Sequence, residues 1–182
     1  VLEHGIHEGQ VYPVSGDVDF DLSTPMATRE EVNKVLAAFN SPQWIHPMAG
    51  ELVLGFLGMS LVSSALSRRP HVLMTGPAAC GKSTVLGYVR LMLGRLAHSC
   101  TGPQNLAGLY QSIGGTSKAV INDEFEADSR SKSCKETFEI ARMSYSMQEE
   151  DKGIVRGTSS GNSRSYRFCS PFIAAGLRPG KM

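Results

Sequence analysis

Apolar residues recur along this chain with two different periods, and the places where the period changes mark out its elements. Thr28 followed three residues later by Glu31 makes a capping box, and Val32, Val35, Leu36 and Phe39 then recur at helical spacing. An amphipathic helix ending near Asn40 is expected. A second helix is expected to begin about Pro47, a residue suited to a first helical turn, and to run through the apolar stretch toward Leu66. After Arg68, Arg69 and Pro70, the run His71, Val72, Leu73, Met74 and Thr75 reads as a short buried strand that enters a glycine-rich loop directly. Val85, Leu86, Val89, Met92 and Leu93 then stripe a helix, and Gly94 is placed to stop it. Leu106, Leu109, Tyr110 and Ile113 mark another short helix, residues 119–123 a second buried strand, and Cys134, Phe138, Ala141 and Tyr145 a further helix. Residues 154–157 and 166–169 flank the polar turn 158–164 as a hairpin, ahead of an apolar strand at 172–175. Residues 1–27, rich in Gly, Pro, Asp and His, show little periodicity and read as an irregular lead-in with short strands around residues 10–14.

The 182 residues suit one domain, divided here into the lead-in with its two helices (1–66) and a core (67–182). With 41% hydrophobic and 19% charged residues, the composition is that of a globular protein rather than a disordered or fibrous one. Eighteen basic side chains against seventeen acidic ones leave a net charge of +1, so nucleic acid or a membrane surface would have to be met by a local basic patch. The apolar run 52–66 has fifteen residues without a charge but contains Gly55, Gly58 and three serines, and a buried helix fits it better than a membrane span. Cys80, Cys100, Cys134 and Cys169 form no C-x-x-C pair, which points away from zinc and from a disulfide framework and toward a reducing, intracellular setting. His4 and His7, with no further ligands nearby, read as surface residues rather than a metal pair. No segment resembles a signal peptide, and Val1 in place of a methionine makes a piece of a longer protein the expectation.

The glycine-rich loop is Gly76-Pro77-Ala78-Ala79-Cys80-Gly81-Lys82-Ser83-Thr84, a complete match to G-x-x-x-x-G-K-[ST] between a strand and a helix. Backbone N–H groups at a helix N-terminus receive phosphate charge, and glycines at the two ends of the loop allow the close approach. On this reading Lys82 reaches the β- and γ-phosphates and the Ser83 hydroxyl is a ligand of Mg2+. Asp123 and Glu124 end the second buried strand, where an acid can face that ion. Asp123 is expected to hold the metal, through water, and Glu124 to orient or deprotonate the attacking water. The same pair could instead cap the following helix, and Glu126 and Asp128 read as solvated acids at its entry. In the hairpin region, Lys152, Arg156, Arg164 and Arg167 are interleaved with small polar residues. They suit contacts to a nucleic-acid backbone as well as they suit a plain solvated hairpin, and Tyr166 fits a base stack or the core equally.

Four blocks, Ser67-Arg68-Arg69-Pro70-His71-Val72-Leu73-Met74-Thr75-Gly76 with its loop, Val120-Ile121-Asn122-Asp123-Glu124-Phe125-Glu126, Ile140-Ala141-Arg142 and Ile154-Val155-Arg156-Gly157-Thr158, carry a likeness. Together they resemble the ATPase domain of phage and prophage primase-helicase proteins. The likeness extends upstream to Leu22-Ser23-Thr24-Pro25-Met26 and the helix after Pro47, so it covers most of the chain. The resemblance implies an α/β fold like the AAA+ or superfamily 3 helicase core, with a parallel sheet sandwiched by helices. It implies ATP with Mg2+, a homo-oligomeric ring working on single-stranded DNA, and the cytoplasm of a bacterium or phage-infected host cell. The hairpin over residues 153–169 resembles the one that projects toward the DNA channel, which makes Arg156, Arg164 and Arg167 the implied DNA contacts. Two departures stand out. After the strand at 172–175 the chain reads Gly176-Leu177-Arg178-Pro179 where a polar sensor, commonly Asn, is expected. It also reaches Met182 before the last strand, lid and trans-acting arginine of the family, so the expectation is a core truncated on its C-terminal side that hydrolyses ATP poorly by itself. Two other readings of the same loop are a non-catalytic helicase-loading module and a small-molecule kinase; the Asp-Glu pair favours hydrolysis over the kinase.

Overall fold

The computed structural model describes residues 5–7, 10–12, 23–102, 104, 106–113, 116–125, 132–146, 154–157, 163–166 and 168–176. Near the N-terminus, β1 (Gly5–His7) and β2 (Gln10–Tyr12) pair antiparallel, where the sequence had suggested short strands at 10–14. Then α1 (Arg29–Phe39) starts at the expected capping box: the Glu31 N–H donates to Thr28 Oγ1 at 3.3 Å, and the Thr28 N–H donates to Glu31 Oε2 at 2.7 Å. Beyond it, the Trp44 indole N–H donates to the Phe39 carbonyl at 2.8 Å, tying the loop after the helix to the helix end. Next, α2 (Ala49–Leu61) is followed by a 3-10 turn, Ser63–Ala65. The helix begins two residues later than expected and ends earlier. Pro47 sits in a turn in which the Ala49 N–H donates to the His46 carbonyl at 3.2 Å, so it precedes the first helical turn instead of occupying it. At Gly50 the two helices meet so closely that a Cβ would lie 3.2 Å from the Phe39 carbonyl carbon and clash with the Asn40 side chain.

The rest of the described chain builds the sheet and its cover. In order come β3 (His71–Thr75), α3 (Lys82–Leu93), a 3-10 turn (Gly94–Leu96), β4 (Ala97–Thr101) and α4 (Leu106–Ile113). They are followed by β5 (Ala119–Asp123), α5 (Lys132–Tyr145), the hairpin β6 (Ile154–Gly157) and β7 (Ser163–Tyr166), and β8 (Phe172–Gly176). Four strands form one parallel sheet in the order β3-β8-β5-β4, with helices on both faces, so the chain has an α/β fold. Successive side chains of a strand point to opposite faces, and this parity sorts the core. Met74, Ile121, Ile173 and Ala175 meet Phe39, Phe56, Val85, Leu86 and Val89 of the first three helices, whereas Val120 and Phe172 meet Leu109, Ile113 and Ile140 of α4 and α5. Val85, Leu86 and Val89 are fully buried, which stabilises the fold by about 1.5–3 kcal/mol each. Arg69 is buried ahead of β3, where its Nε donates to the Ser63 carbonyl at 2.9 Å and its guanidinium to the Ser144 carbonyl at 3.1 Å.

Two sequence expectations are corrected, and one strand was not foreseen. The strand at 71–75 lies at a sheet edge among the described residues, and of its five residues only Met74 is buried; Leu73 is 43% exposed. A strand at Ala97–Thr101 went unexpected because an edge strand reading Ala-His-Ser-Cys-Thr carries no apolar alternation. The hairpin's second strand runs over Ser163–Tyr166 instead of 166–169, which shortens the turn and pairs Arg156 with Arg164. No helix among the described residues is long and apolar enough to cross a membrane.

Candidate phosphate-binding site

The glycine-rich loop leaves the C-terminal end of β3 and enters α3 at Lys82. Gly81, immediately before the helix, has φ of +93°, a left-handed conformation that favours glycine. Ala79 adopts φ of +60° without that freedom, a strain of about 1–2 kcal/mol placed in the loop itself. At Gly76 a Cβ would lie 3.0 Å from Cys80 Sγ, so a side chain there would displace the cysteine from the turn. No side chain caps α3. Its first N–H groups lack intrahelical acceptors, as in any helix, and here they open onto the loop. Lys82 Nζ arches over that loop, donating to the Gly76 carbonyl at 2.8 Å and the Pro77 carbonyl at 2.6 Å, with Cys80 Sγ at 3.5 Å. A phosphate seated among these N–H groups would lie beside an ammonium group already directed there.

Strand parity places the acid. Asp123 shares the α3 face of β5 with Ile121, and its Oδ1 accepts from Ser83 Oγ at 3.2 Å across a sequence separation of 40 residues. The same oxygen accepts the Glu124 N–H at 2.9 Å. Glu124 is exposed, with φ of +56°, the second non-glycine residue in the left-handed region among those described. Such strain, held in place by flanking hydrogen bonds, gathers at sites where a side chain must be aimed. The hydrogen bonds are present on both sides, since the Phe125 N–H donates to the Ala175 carbonyl and the Gly102 N–H to the Asp123 carbonyl, each at 2.7 Å.

The oxygen pair can be tested against a magnesium ion. Neighbouring ligands of octahedral Mg2+ lie about 3.0 Å apart when each bond is about 2.1 Å. Ser83 Oγ and Asp123 Oδ1 at 3.2 Å would fit two adjacent positions, a direct bond from Asp123 where the sequence reading had it act through water, with phosphate oxygens and water left to complete the shell. No group of three or more His, Cys, Asp or Glu gathers among the described residues.

Thus Gly76, Pro77, Ala78, Ala79, Cys80, Gly81, Lys82, Ser83, Thr84, Asp123 and Glu124 converge on one end of the sheet. Of the three arginines, two lie on described backbone, in a hairpin outside the four-stranded sheet. Arg156 and Arg164 are cross-strand partners in the separate β6-β7 hairpin, while Arg167, Lys152, Glu126 and Asp128 lie outside the described residues. Pro42, from the connection between α1 and α2, was not foreseen. A Cβ on Gly81 would meet its Cγ at 3.3 Å, so this connection packs on the loop. No spacing rule links residues 42 and 81, and only the fold brings them together.

No protein-family model matches the chain, and no curated protein matches it. The reading of the site therefore rests on its residues and their geometry.

Proposed function

We propose that this chain binds ATP with Mg2+ and hydrolyses it as the motor core of a phage-type replicative helicase or primase-helicase, coupling hydrolysis to movement on single-stranded DNA. The observation that carries the nucleotide reading is the 3.2 Å contact between Ser83 Oγ and Asp123 Oδ1, which unites the loop and the acid at the place the chemistry needs them. Lys82 and the first N–H groups of α3 bind the phosphates. Ser83 and Asp123 hold the magnesium ion, which when bound draws charge from the phosphate oxygens. Glu124, held at the strand end by its strained backbone, orients and deprotonates the water that attacks the terminal phosphorus.

The parallel sheet with helices on both faces is compatible with the AAA+ or superfamily 3 class and with assembly into a ring. Support for DNA is the basic content of the hairpin, in which Arg156 and Arg164 are register partners. The test is ATP binding and turnover with and without single-stranded DNA. Lys82→Ala is expected to abolish measurable binding. Glu124→Gln is expected to keep binding and slow hydrolysis by about a hundredfold or more. Arg156→Ala with Arg164→Ala is expected to remove any DNA stimulation. Turnover undiminished in both loop and acid variants would refute the assignment, and nucleotide binding with no turnover under any condition would favour a loading module.

A further inference from the structure

On the face of the sheet turned away from α3 lies a cavity of about 130 Å³. Register accounts for it. Leu73, Ala174 and Asn122 stand in one row across β3, β8 and β5, so the small Ala174 leaves a gap between two longer side chains. Ala141 of α5, equally small, lines the same space from the helix side, and Phe125, Phe138 and Phe172 wall it. We propose that this cavity is a binding site for a small, uncharged, single-ring compound that carries a carboxamide or lactam edge. The inference does not depend on the phosphate-loop reading, because Asp123 and Ser83 meet on the opposite side of β5.

Size, walls and one polar group each narrow the ligand. An apolar cavity of about 150 Å³ holds benzene, so this one suits a single ring with a small substituent. No Lys, Arg, Asp or Glu is among the described residues that line it, and the His71 ring is neutral where its Nδ1 accepts the Phe172 N–H at 3.1 Å. A charged ligand would therefore lose its water without gaining a counter-ion. Asn122 decides the rest. It is 2% exposed, and neither its Oδ1 nor its Nδ2 has a hydrogen-bond partner among the described residues, whereas the Thr137 hydroxyl on the same lining already donates to the Gln104 carbonyl at 3.3 Å. A side-chain amide presents an acceptor and a donor side by side, and the edge that satisfies both is another amide, its C=O accepting from Nδ2 and its N–H donating to Oδ1. Two such bonds would engage atoms whose burial is otherwise uncompensated. Leu73 and Phe138 line the cavity while each stays 43% exposed, which gives a ring a way in from solvent.

Benzamide, benzoate and isopropylbenzene share a ring and a branched substituent of equal size, and differ in what they offer Asn122. The experiment titrates the isotope-labelled chain with each, following backbone and side-chain amide resonances. Benzamide is expected to bind and to shift the Asn122 side-chain amide signals downfield, as new hydrogen bonds do, and benzoate to bind at least about tenfold more weakly. Asn122→Ala removes both hydrogen bonds and enlarges the space, so it should weaken benzamide by about tenfold and leave isopropylbenzene bound as before or more tightly. Ala141→Leu fills the cavity from α5 and should weaken both ring compounds, with thermal unfolding showing that each variant is folded. Asn122 signals unmoved by benzamide up to its solubility would leave the cavity to water and overturn the proposal. Benzoate bound as tightly as benzamide, or an Asn122→Ala variant that weakens benzamide no more than isopropylbenzene, would overturn the amide recognition. Benzamide bound undiminished by Ala141→Leu would place it elsewhere and overturn the site.

Discussion

Asp123 and Asn122 are neighbours on one strand, yet they stand on opposite faces of the sheet and meet different fates. Asp123 faces α3, where Ser83 and the Glu124 N–H engage it. Asn122 is 2% exposed and lies on the wall of a cavity of about 130 Å³ with Phe125, Phe138 and Phe172, and neither its Oδ1 nor its Nδ2 has a hydrogen-bond partner among the described residues. His71 lines the same cavity, and its Nε2 makes no hydrogen bond of good geometry, the Ala141 backbone reaching it only weakly. The face that carries the loop directs Asp123 at a site and leaves, among the described residues, Glu51 Oε2 of α2 buried without a partner, whereas the other face leaves both polar atoms of Asn122 and the Nε2 of His71 so. Unpaired buried groups cost about 1–3 kcal/mol each, so the second face should be the weaker half of the protein.

The strongest way to break that comparison is to excavate each face in turn. Phe56 is 1% exposed in the core under α2, and Phe56→Ala should cost about 3–5 kcal/mol in urea unfolding. Phe138 is 43% exposed and packs edge-on against Phe125 with ring centroids 5.1 Å apart, so Phe138→Ala should cost only about 1–2 kcal/mol. Equal losses would mean that the two faces share the stability evenly.

A smaller effect should come from pH, through His71. Burial lowers its imidazole; the Ala141 backbone pulls it part of the way back and the charge of Arg69 pushes it down again, leaving it at about 4. Its Nδ1 accepts the Phe172 N–H at 3.1 Å, which requires the neutral ring. With the folded value near 4 and the unfolded value near 6.5, the unfolded chain binds the extra proton between them. Stability held above pH 6.5 is thus lost as pH falls toward 4 and no further below it. Solvent screening at this partly exposed site reduces the loss to on the order of 2 kcal/mol. His71→Asn keeps an acceptor and removes the titration, so its unfolding midpoint should fall less across that window than the midpoint of the unaltered chain.

Much of the first face could be read in the residues themselves. The capping box at Thr28 and Glu31, the stripe on α3 and the match over residues 76–84 are local patterns, and local hydrogen bonding and periodicity decide them. The acid was legible for the same reason, because a run of apolar residues ending in Asp-Glu fixes both the strand and its parity. What the residues did not reveal is set by contacts distant in sequence. An edge strand such as β4 takes its place from backbone pairing with β5 and needs no apolar pattern, and the hairpin register depends on which turn closes over polar residues. The packing of Pro42 on Gly81 and the burial of Asn122 belong to the same class, since neither has a signal within its own segment.

The finest test of the comparison is Asn122 itself, where two accounts of a buried amide predict opposite signs. If the amide has no partner, Asn122→Leu keeps the branching and number of side-chain heavy atoms, lets its bulkier methyl groups fill part of the adjoining cavity, removes two unpaired polar atoms from an apolar surround and should stabilise the chain by about 1 kcal/mol. The cavity is large enough to hold ordered water, however, and an amide bridged through water to His71 Nε2 would count as satisfied, so its loss would cost about 1–2 kcal/mol instead. Asn122→Ala controls for size, because it deletes the same polar atoms but enlarges the cavity and should stabilise less than the leucine under the first account. Nucleotide affinity should be unchanged in both variants, since Asp123 and Ser83 meet on the other side of the strand. A loss of stability in Asn122→Leu would show that the second face is satisfied after all and would erase the difference between the two faces; a loss of nucleotide binding would show that the faces are coupled through β5.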